Sequence, residues 1–252
     1  MKKDQNIKEK FKQALISTIK VISDDIKTDP KIRKDSKSNN FDAVEIDNLE
    51  NKQNYIKFRA EADSEALKIK FSNKDTYDRN IPKNTACKRL YDISEKIRYE
   101  ILGSKMLSGV SKNLKNNYNY LLSLKRKDQI KSKEDVPVSE AFELYMLKNF
   151  HDIELNSLTS KMLNFWEKDF DKSIFDHIEF LKKNLEHQNT YSSKFSQILQ
   201  DMDIFKSEEN EEIKEENQDE NQENSSNENE ESENEDKKDP DSQDETVSGL
   251  DS

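Results

Sequence analysis

Apolar residues recur at intervals of three and four positions along most of the chain between Ile7 and Met202. This spacing places them on one face of an α-helix, because the helix completes a turn in about 3.6 residues. Interruptions are few, since the 252 residues include only three glycines and four prolines. The sequence therefore predicts an all-α fold: a multi-helix domain over residues 1–206 followed by a disordered acidic tail over residues 207–252.

We expect roughly seven or eight helices in this domain. The first should end before Pro30, because the residue preceding a proline disfavours the helical conformation. Another should begin near Pro137, with the proline in its first turn. Residues 29–54 show no helical period and predict a long loop, with one short strand at most, over residues 41–46. The apolar faces predicted for the helices include Ile7, Ile69, Met106 and Leu121.

Charge divides the chain into two parts. The net charge is −11, but the segment 207–252 contains 20 acidic residues and three lysines, so that it carries −17 and the remainder carries +6. Only Ile213, Val247 and Leu250 are aliphatic there, which is too little apolar surface to offset the entropy of ordering. We interpret the tail as an extended linker. Loose collection of divalent cations by its carboxylates is a weaker alternative.

The predicted location is the cytoplasm. No stretch approaches the roughly 18 to 20 apolar residues of a membrane-spanning helix, and the first residues are not followed by the apolar segment of a signal peptide. Cys87 is the single cysteine, so the chain has no internal disulfide, which fits a reducing compartment. We expect no membrane partner.

Two glycines occur in the domain, Gly103 and Gly109. A P-loop or a dinucleotide fingerprint needs more, because several backbone positions must approach the phosphate oxygens closely. Nucleotide binding by this chain is therefore not expected. The segment 103–110 has two interpretations, a special turn with a recognition role or a tight junction between helices, and the junction is favoured.

The histidines do not have the spacing of a metal site. His177 and His187 lie ten residues apart, nearly three helical turns, which is too far for one ion on one helix. His151 is isolated, and all three are expected to be surface or capping residues. No nucleophile motif accompanies them. The sequence predicts no catalytic, cofactor-binding or metal-binding residues.

Nucleic-acid binding is a weak alternative. The domain has a small basic cluster at residues 125–127, with Lys131 and Lys133 beyond it. Such a cluster more often belongs to a solvated loop than to a groove-reading surface. The acidic tail would also repel phosphates.

Four segments resemble the amino-terminal region of the CobT subunit of aerobic cobaltochelatase. Residues 59–68 are similar to that family's R-G-x-A-D-x-x-A-L-x segment, with Ala60 in place of the usual glycine. Residues 98–114 resemble its R-x-E-x-x-G-x-x-x-M-x-G-V-x-x-N-L block. Residues 135–142 and 163–166 are similar to its D-A-P-L-x-x-A-L and L-x-x-W segments. The order and the gaps match, and an acidic linker follows, so the resemblance covers roughly residues 7 to 230.

This resemblance implies a role within a complex. In the family, a large chelatase subunit binds the corrin ring, an AAA+ ATPase subunit hydrolyses ATP, and CobT partners the ATPase. The implied reaction is the insertion of cobalt into hydrogenobyrinic acid a,c-diamide, so the complex would use ATP, magnesium and cobalt, with no cofactor in this chain. CobT usually continues into a von Willebrand A-like domain with a D-x-S-x-S ion site, a pattern that these 252 residues do not contain.

The shared motifs supply the candidate residues for a subunit interface or for helix packing. Asp63 follows Arg59 by four residues and should share its helix face, and ion pairs among the charged candidates would fix the packing of helices. Surface pairs of small energy and an interface role are equally open. The candidates are Arg59, Glu61, Asp63, Arg98, Glu100, Gly103, Met106, Gly109 and Asn113.

The leading hypothesis is thus a non-catalytic adaptor of a cobaltochelatase. The alternative is a free-standing helical protein–protein interaction module with an acidic tail. A homo-oligomer is compatible with both.

Overall fold

Amphipathic α-helices form the domain, as the apolar spacing predicts. The computed structural model describes residues 2–25, 51–125 and 130–202, and these ranges contain no β-strand. The acidic tail, the short strand at residues 41–46 and most of the long loop lie outside the described residues, as do residues 126 and 127 of the basic cluster. The all-α prediction is confirmed for the described part.

The described ranges contain ten α-helices and one 3-10 turn, more than the seven or eight expected. The helix α3 was not predicted, and the two helices expected around Leu158–Trp166 and Ile174–Leu185 are divided into shorter ones. The elements are α1 (Lys2–Ser23), α2 (Lys52–Phe71), α3 (Lys74–Asn80), α4 (Thr85–Met106), α5 (Ser108–Ser123), α6 (Val138–Phe150), α7 (Ser157–Asn164), α8 (Glu167–Ile174), the 3-10 turn Phe175–His177, α9 (Ile178–Lys183) and α10 (Gln188–Asp201).

Asparagine side chains begin four of these helices. The Oδ1 atom of Asn84 accepts hydrogen bonds from the backbone N–H groups of Ala86 and Cys87, at 2.9 and 3.0 Å. Such a cap supplies an acceptor for N–H groups that have no partner within the helix. Pro137 occupies the N-cap position of α6, close to the start that the sequence predicts. The capping asparagines are Asn51, Asn73, Asn84 and Asn156.

Two apolar cores lie on either side of the α2–α4 pair. The larger core is built mainly from α4, α6 and α10, and its aromatic rings pack edge to face, with the centroids of Phe142 and Phe170 5.5 Å apart. The smaller core joins α1, α2 and α5 and includes Leu15, Leu67 and Leu114. Helix α4 also packs against α5, so α2 and α4 connect the two cores.

Some positions on the predicted apolar faces are exposed. Ile7, Ile69, Met106 and Leu121 have exposed fractions of 51, 41, 44 and 40%. The prediction of burial was wrong for them, because each helix packs against its neighbours over an arc narrower than its apolar stripe. No helix among the described residues combines the length and the apolar composition of a membrane-spanning segment.

Candidate functional site

A groove between α1, α2 and α5 brings together four of the nine candidate residues. Its volume is about 290 Å³. Arg59 and Asp63 face it from consecutive turns of α2, and Gly109 and Asn113 face it from consecutive turns of α5. The spacing of four residues explains both pairs, since such positions lie on the same face of a helix. Apolar side chains complete the walls: Leu15, Ile22, Leu107 and Val110.

Asp63 and Asn113 join α2 to α5 within this groove. The Nδ2 atom of Asn113 donates a hydrogen bond of 2.7 Å to Oδ2 of Asp63, whose residue is 3% exposed. Burial raises the pKa of Asp63, and the hydrogen bond from Asn113 and the charge of Arg59 oppose that rise. Arg59 shares the face of Asp63 as predicted, but no ion pair within 4.0 Å joins them in the described structure. The side-chain amide of Asn113, not the guanidinium of Arg59, therefore binds the carboxylate of Asp63.

The start of α5 leaves the groove open. Gly109 is exposed, and a Cβ atom added there would meet no atom within 4 Å. Leu107 stands at the N-cap without a side-chain capping bond. Met106 and Leu107, 44 and 38% exposed, give this end of the groove an apolar rim. The fold therefore does not require glycine at this position.

The break between α4 and α5 is a junction between helices, the favoured interpretation of residues 103–110. The N–H of Leu107 donates to the carbonyl of Gly103 at 2.8 Å, and the carbonyl of Leu107 accepts from Ser111 at 3.0 Å. One residue thus ends α4 and begins α5. Gly103 itself lies inside α4, not in the junction.

Gly103 allows α2 and α4 to approach closely. A Cβ atom built on it would lie 2.2 Å from Cδ2 and 2.7 Å from Cγ of Leu67, well inside van der Waals contact. Leu67 is fully buried in the smaller core. Among the candidates, Gly103 is a packing residue.

Arg98 is buried in a polar network, with an exposed fraction of 1%. Its Nε donates to Oε2 of Glu95 at 3.2 Å, and its terminal nitrogens donate to the carbonyls of Leu185 at 3.0 Å and Phe71 at 2.7 Å. The guanidinium thus connects α4 to the end of α2 and to the segment before α10. The ion pair between Arg98 and Glu95 was not predicted, because Glu95 is not among the candidate residues.

Glu95 completes the network from the other side. Its Oε1 atom accepts from the hydroxyl of Ser192 at 2.6 Å, and its Oε2 atom accepts from Nε2 of Gln188 at 3.1 Å. Both oxygens of this buried carboxylate therefore have hydrogen-bond donors. Its negative charge balances the positive charge of Arg98 without contact with solvent. Arg98 therefore positions helices and does not present a surface.

Glu61, on α2, and Glu100, on α4, lie apart from the groove. Glu100 is 1% exposed, and its two oxygens accept from the hydroxyls of Ser64 and Tyr118, both at 2.6 Å. Glu61 is partly exposed and pairs with Lys57 at 3.7 Å. Both carboxylates line a wider cleft of about 1020 Å³, formed by α2, α3, α4 and α5. The candidate residues are thus divided among groove, cleft and core.

The histidines are separate from both surfaces. His151 is 4% exposed and ends α6, where its N–H donates to the carbonyl of Leu147 at 3.2 Å. Of the two predicted roles, surface or capping, this position fits the capping role, and the side chain is buried because α6 is buried on nearly all sides. His187 precedes α10 and is exposed. Within the described ranges, no three His, Cys, Asp or Glu side chains are arranged to hold a metal ion.

Sequence reasoning missed several polar residues of the cleft and the network. Glu95 precedes Arg98 by three positions, a spacing that does predict contact on a helix. Ser64, Asn117 and Tyr118 gave no local signal, because their partners come from other helices. Contacts of this kind follow from tertiary packing alone.

Comparison with known proteins identifies the family. No solved structure matches the chain. The family model described as "Cobalamin biosynthesis protein CobT" matches residues 5–250, which is nearly the whole length. The four motif segments that line the groove, the cleft and the core fall inside this match. The chain therefore belongs to the CobT family of cobalamin biosynthesis proteins, which take part in a multi-subunit cobaltochelatase.

Proposed function

We propose that this chain is a non-catalytic adaptor subunit of an ATP-dependent cobaltochelatase. It would couple an AAA+ ATPase subunit to the large chelatase subunit while cobalt is inserted into hydrogenobyrinic acid a,c-diamide. The match to the CobT family over residues 5–250 carries the proposal. The complex would use ATP, magnesium and cobalt, with no cofactor in this chain. The proposal includes a cytoplasmic location and a linker role for residues 207–252.

The groove between α1, α2 and α5 is the surface that we assign to subunit docking. It combines exposed apolar groups at Met106 and Leu107 with the exposed guanidinium of Arg59. Arginine is enriched among the residues that dominate the binding energy of interfaces, and methionine is enriched in interface cores. Gly109 supports this assignment. The space around its Cα atom is empty in the fold, so a partner backbone would have room to approach it closely.

The direct test is reconstitution of the complex. The full chain is mixed with the tagged ATPase subunit and with the chelatase subunit, and co-purification and cobalt insertion are measured. Both are expected to require this chain. If neither subunit binds at micromolar concentration, the adaptor proposal is wrong and the alternative of an unrelated interaction module is favoured.

A pair of variants tests the groove itself. Gly109→Leu fills the open space at the start of α5 and is expected to weaken co-purification without lowering the melting temperature. Ser193→Leu, at an exposed position of α10, is the matched control and should leave binding intact. Equal binding by both variants would exclude the groove as the docking surface.

A further inference from the structure

The cleft on the other side of α2 is the larger of the two surfaces. Its volume of about 1020 Å³ lies at the upper end of the range of about 300 to 1,000 Å³ for pockets that bury a drug-sized ligand. The cleft is open to solvent. A space of this size and shape accommodates several residues of an extended chain.

Negative charge exceeds positive charge on the walls of this cleft. Six carboxylates line it, against three lysines. One of the six, Glu95, is neutralised by its buried ion pair with Arg98. Asp92 accepts a hydrogen bond from the hydroxyl of Tyr77. Glu61 pairs with Lys57 and Lys96 pairs with Glu143, and neither of these partners lines the cleft. Four carboxylates therefore face two lysines, and the cleft attracts cations.

Hydrogen-bond acceptors are also in excess. The buried carboxylate of Glu100 receives its bonds from neutral hydroxyls of Ser64 and Tyr118. The Oδ1 atom of Asn117, which lines the same cleft, is shielded from solvent and has no donor in the described structure. A buried acceptor without a donor destabilises the unoccupied cleft. A ligand that supplies N–H donors would remove this cost.

Lys96 shows that the walls favour a cation. Its Nζ atom lies 5.3 Å from the centroid of the Tyr118 ring and 3.6 Å from Oε1 of Glu143. Burial alone would lower the pKa of Lys96, but attraction by Glu100, Glu143 and Glu61 outweighs burial and raises it. Burial and the nearby charge of Glu100 raise the pKa of Tyr118 well above its ordinary value, so this phenol remains a neutral hydrogen-bond donor.

We infer that the cleft binds a basic segment of a partner polypeptide, with an arginine or lysine side chain beside Glu61 and Glu65. Arginine fits best, because its planar fork donates to carboxylates in pairs and stacks on aromatic rings such as those of Tyr77 and Tyr99. The inference rests on the proposed adaptor role only for the existence of a partner chain. The chemistry of the ligand follows from the cleft.

The test uses the full chain and a fluorescein-labelled peptide, Gly-Arg-Gly-Arg-Gly-Arg-Gly amide, with binding measured by fluorescence anisotropy at physiological ionic strength. Glu61→Gln combined with Glu65→Gln removes two charges from the cleft and should weaken binding about fivefold or more. Glu179→Gln combined with Glu186→Gln removes the same charge from exposed positions elsewhere and is the matched control. Binding by the control should stay within about twofold of the wild type.

A photo-crosslinking version of the same peptide locates its binding site. Crosslinks are expected on α2 and α4 in the wild type and should be lost in the cleft variant. Equal binding by the cleft variant and its control, or crosslinks confined to residues 207–252, would overturn the inference. A dimer in sedimentation that the cleft substitutions dissociate would place a second copy in the cleft and also overturn it.

The outcome is independent of the reconstitution experiment. Failure to bind the ATPase and chelatase subunits, with peptide binding retained, would refute the adaptor role and leave the basic ligand standing. The reverse result would refute the cleft assignment alone.

Discussion

Replacing Gly103 with alanine tests the close approach of α2 and α4. The new Cβ atom would lie 2.2, 2.3 and 2.7 Å from three side-chain carbon atoms of Leu67, which is fully buried. Contacts this short place the cost in the upper part of the range for overpacking, about 2 to 3 kcal/mol. Alanine returns about 1 kcal/mol through its higher helix propensity. We expect Gly103→Ala to reduce the free energy of unfolding by about 1 to 2 kcal/mol.

The size of the effect can be measured by urea denaturation followed by circular dichroism at the helical band. For a domain of this size, the expected loss lowers the melting temperature by about 2 to 8 °C. A double-mutant cycle assigns the cause. Leu67→Ala alone should cost about 2 to 5 kcal/mol through the cavity that it leaves. In that background Gly103→Ala should become stabilising, because the clash is gone and the gain in helix propensity remains.

The change of sign is the decisive result. If Gly103→Ala lowers the free energy of unfolding by the same amount whether residue 67 is leucine or alanine, the contact with Leu67 is not the cause of the loss. If Gly103→Ala is as stable as the wild type, the helices do not pack as closely as described.

Three further substitutions test other parts of the structure. Gly109→Ala should raise the free energy of unfolding by about 0.5 to 1 kcal/mol in urea denaturation, since the added methyl group meets no atom within 4 Å; a loss would point to a clash that the structure lacks. Arg98→Met leaves Glu95 buried without its cation and should cost about 3 to 5 kcal/mol in thermal melts, and adding Glu95→Gln should recover part of that loss. Burial raises the pKa of Asp63 above its ordinary value of 3.8. The ionised side chain therefore reduces the free energy of unfolding at pH values above the raised pKa. This reduction disappears as the pH falls below 3.8. Asp63→Asn keeps an acceptor for Asn113, and its stability relative to the wild type should be higher at pH 7 than at pH 3; a difference independent of pH would contradict this assignment.

Local sequence patterns predicted most of the helical fold. The spacing of apolar residues located α1, α2, α4, α5, α6 and α10, because their buried faces repeat with the helical period. Pro137 marked the start of α6 to within one residue. The short helix α3 escaped prediction, since its seven residues contain only one apolar side chain, Tyr77, and its start depends on the cap of Asn73.

Long-range contacts account for what the sequence did not predict. The helix expected around Leu158–Trp166 is interrupted near its end, where Nε1 of Trp166 donates to the carbonyl of Val136, 30 residues earlier, at 3.0 Å. Arg98 similarly reaches carbonyls 27 and 87 residues away. Backbone acceptors carry no sequence signature, so the family motif named Arg98 without revealing its partners.

The sequence placed the motif residues on helices but did not distinguish their structural roles. Spacing alone showed that Arg59 and Asp63 share a face. It did not show that one is exposed and the other is bonded to Asn113 of α5. Burial separates these roles, and burial follows from the packing of helices that are distant in sequence.

Helix α2 forms one wall of the groove and one wall of the cleft. Occupants of the two spaces would therefore contact opposite faces of the same 20-residue helix. If the first occupant restricted the motion of this helix, the second would lose less entropy on binding, and the two associations would favour each other without any change in backbone shape.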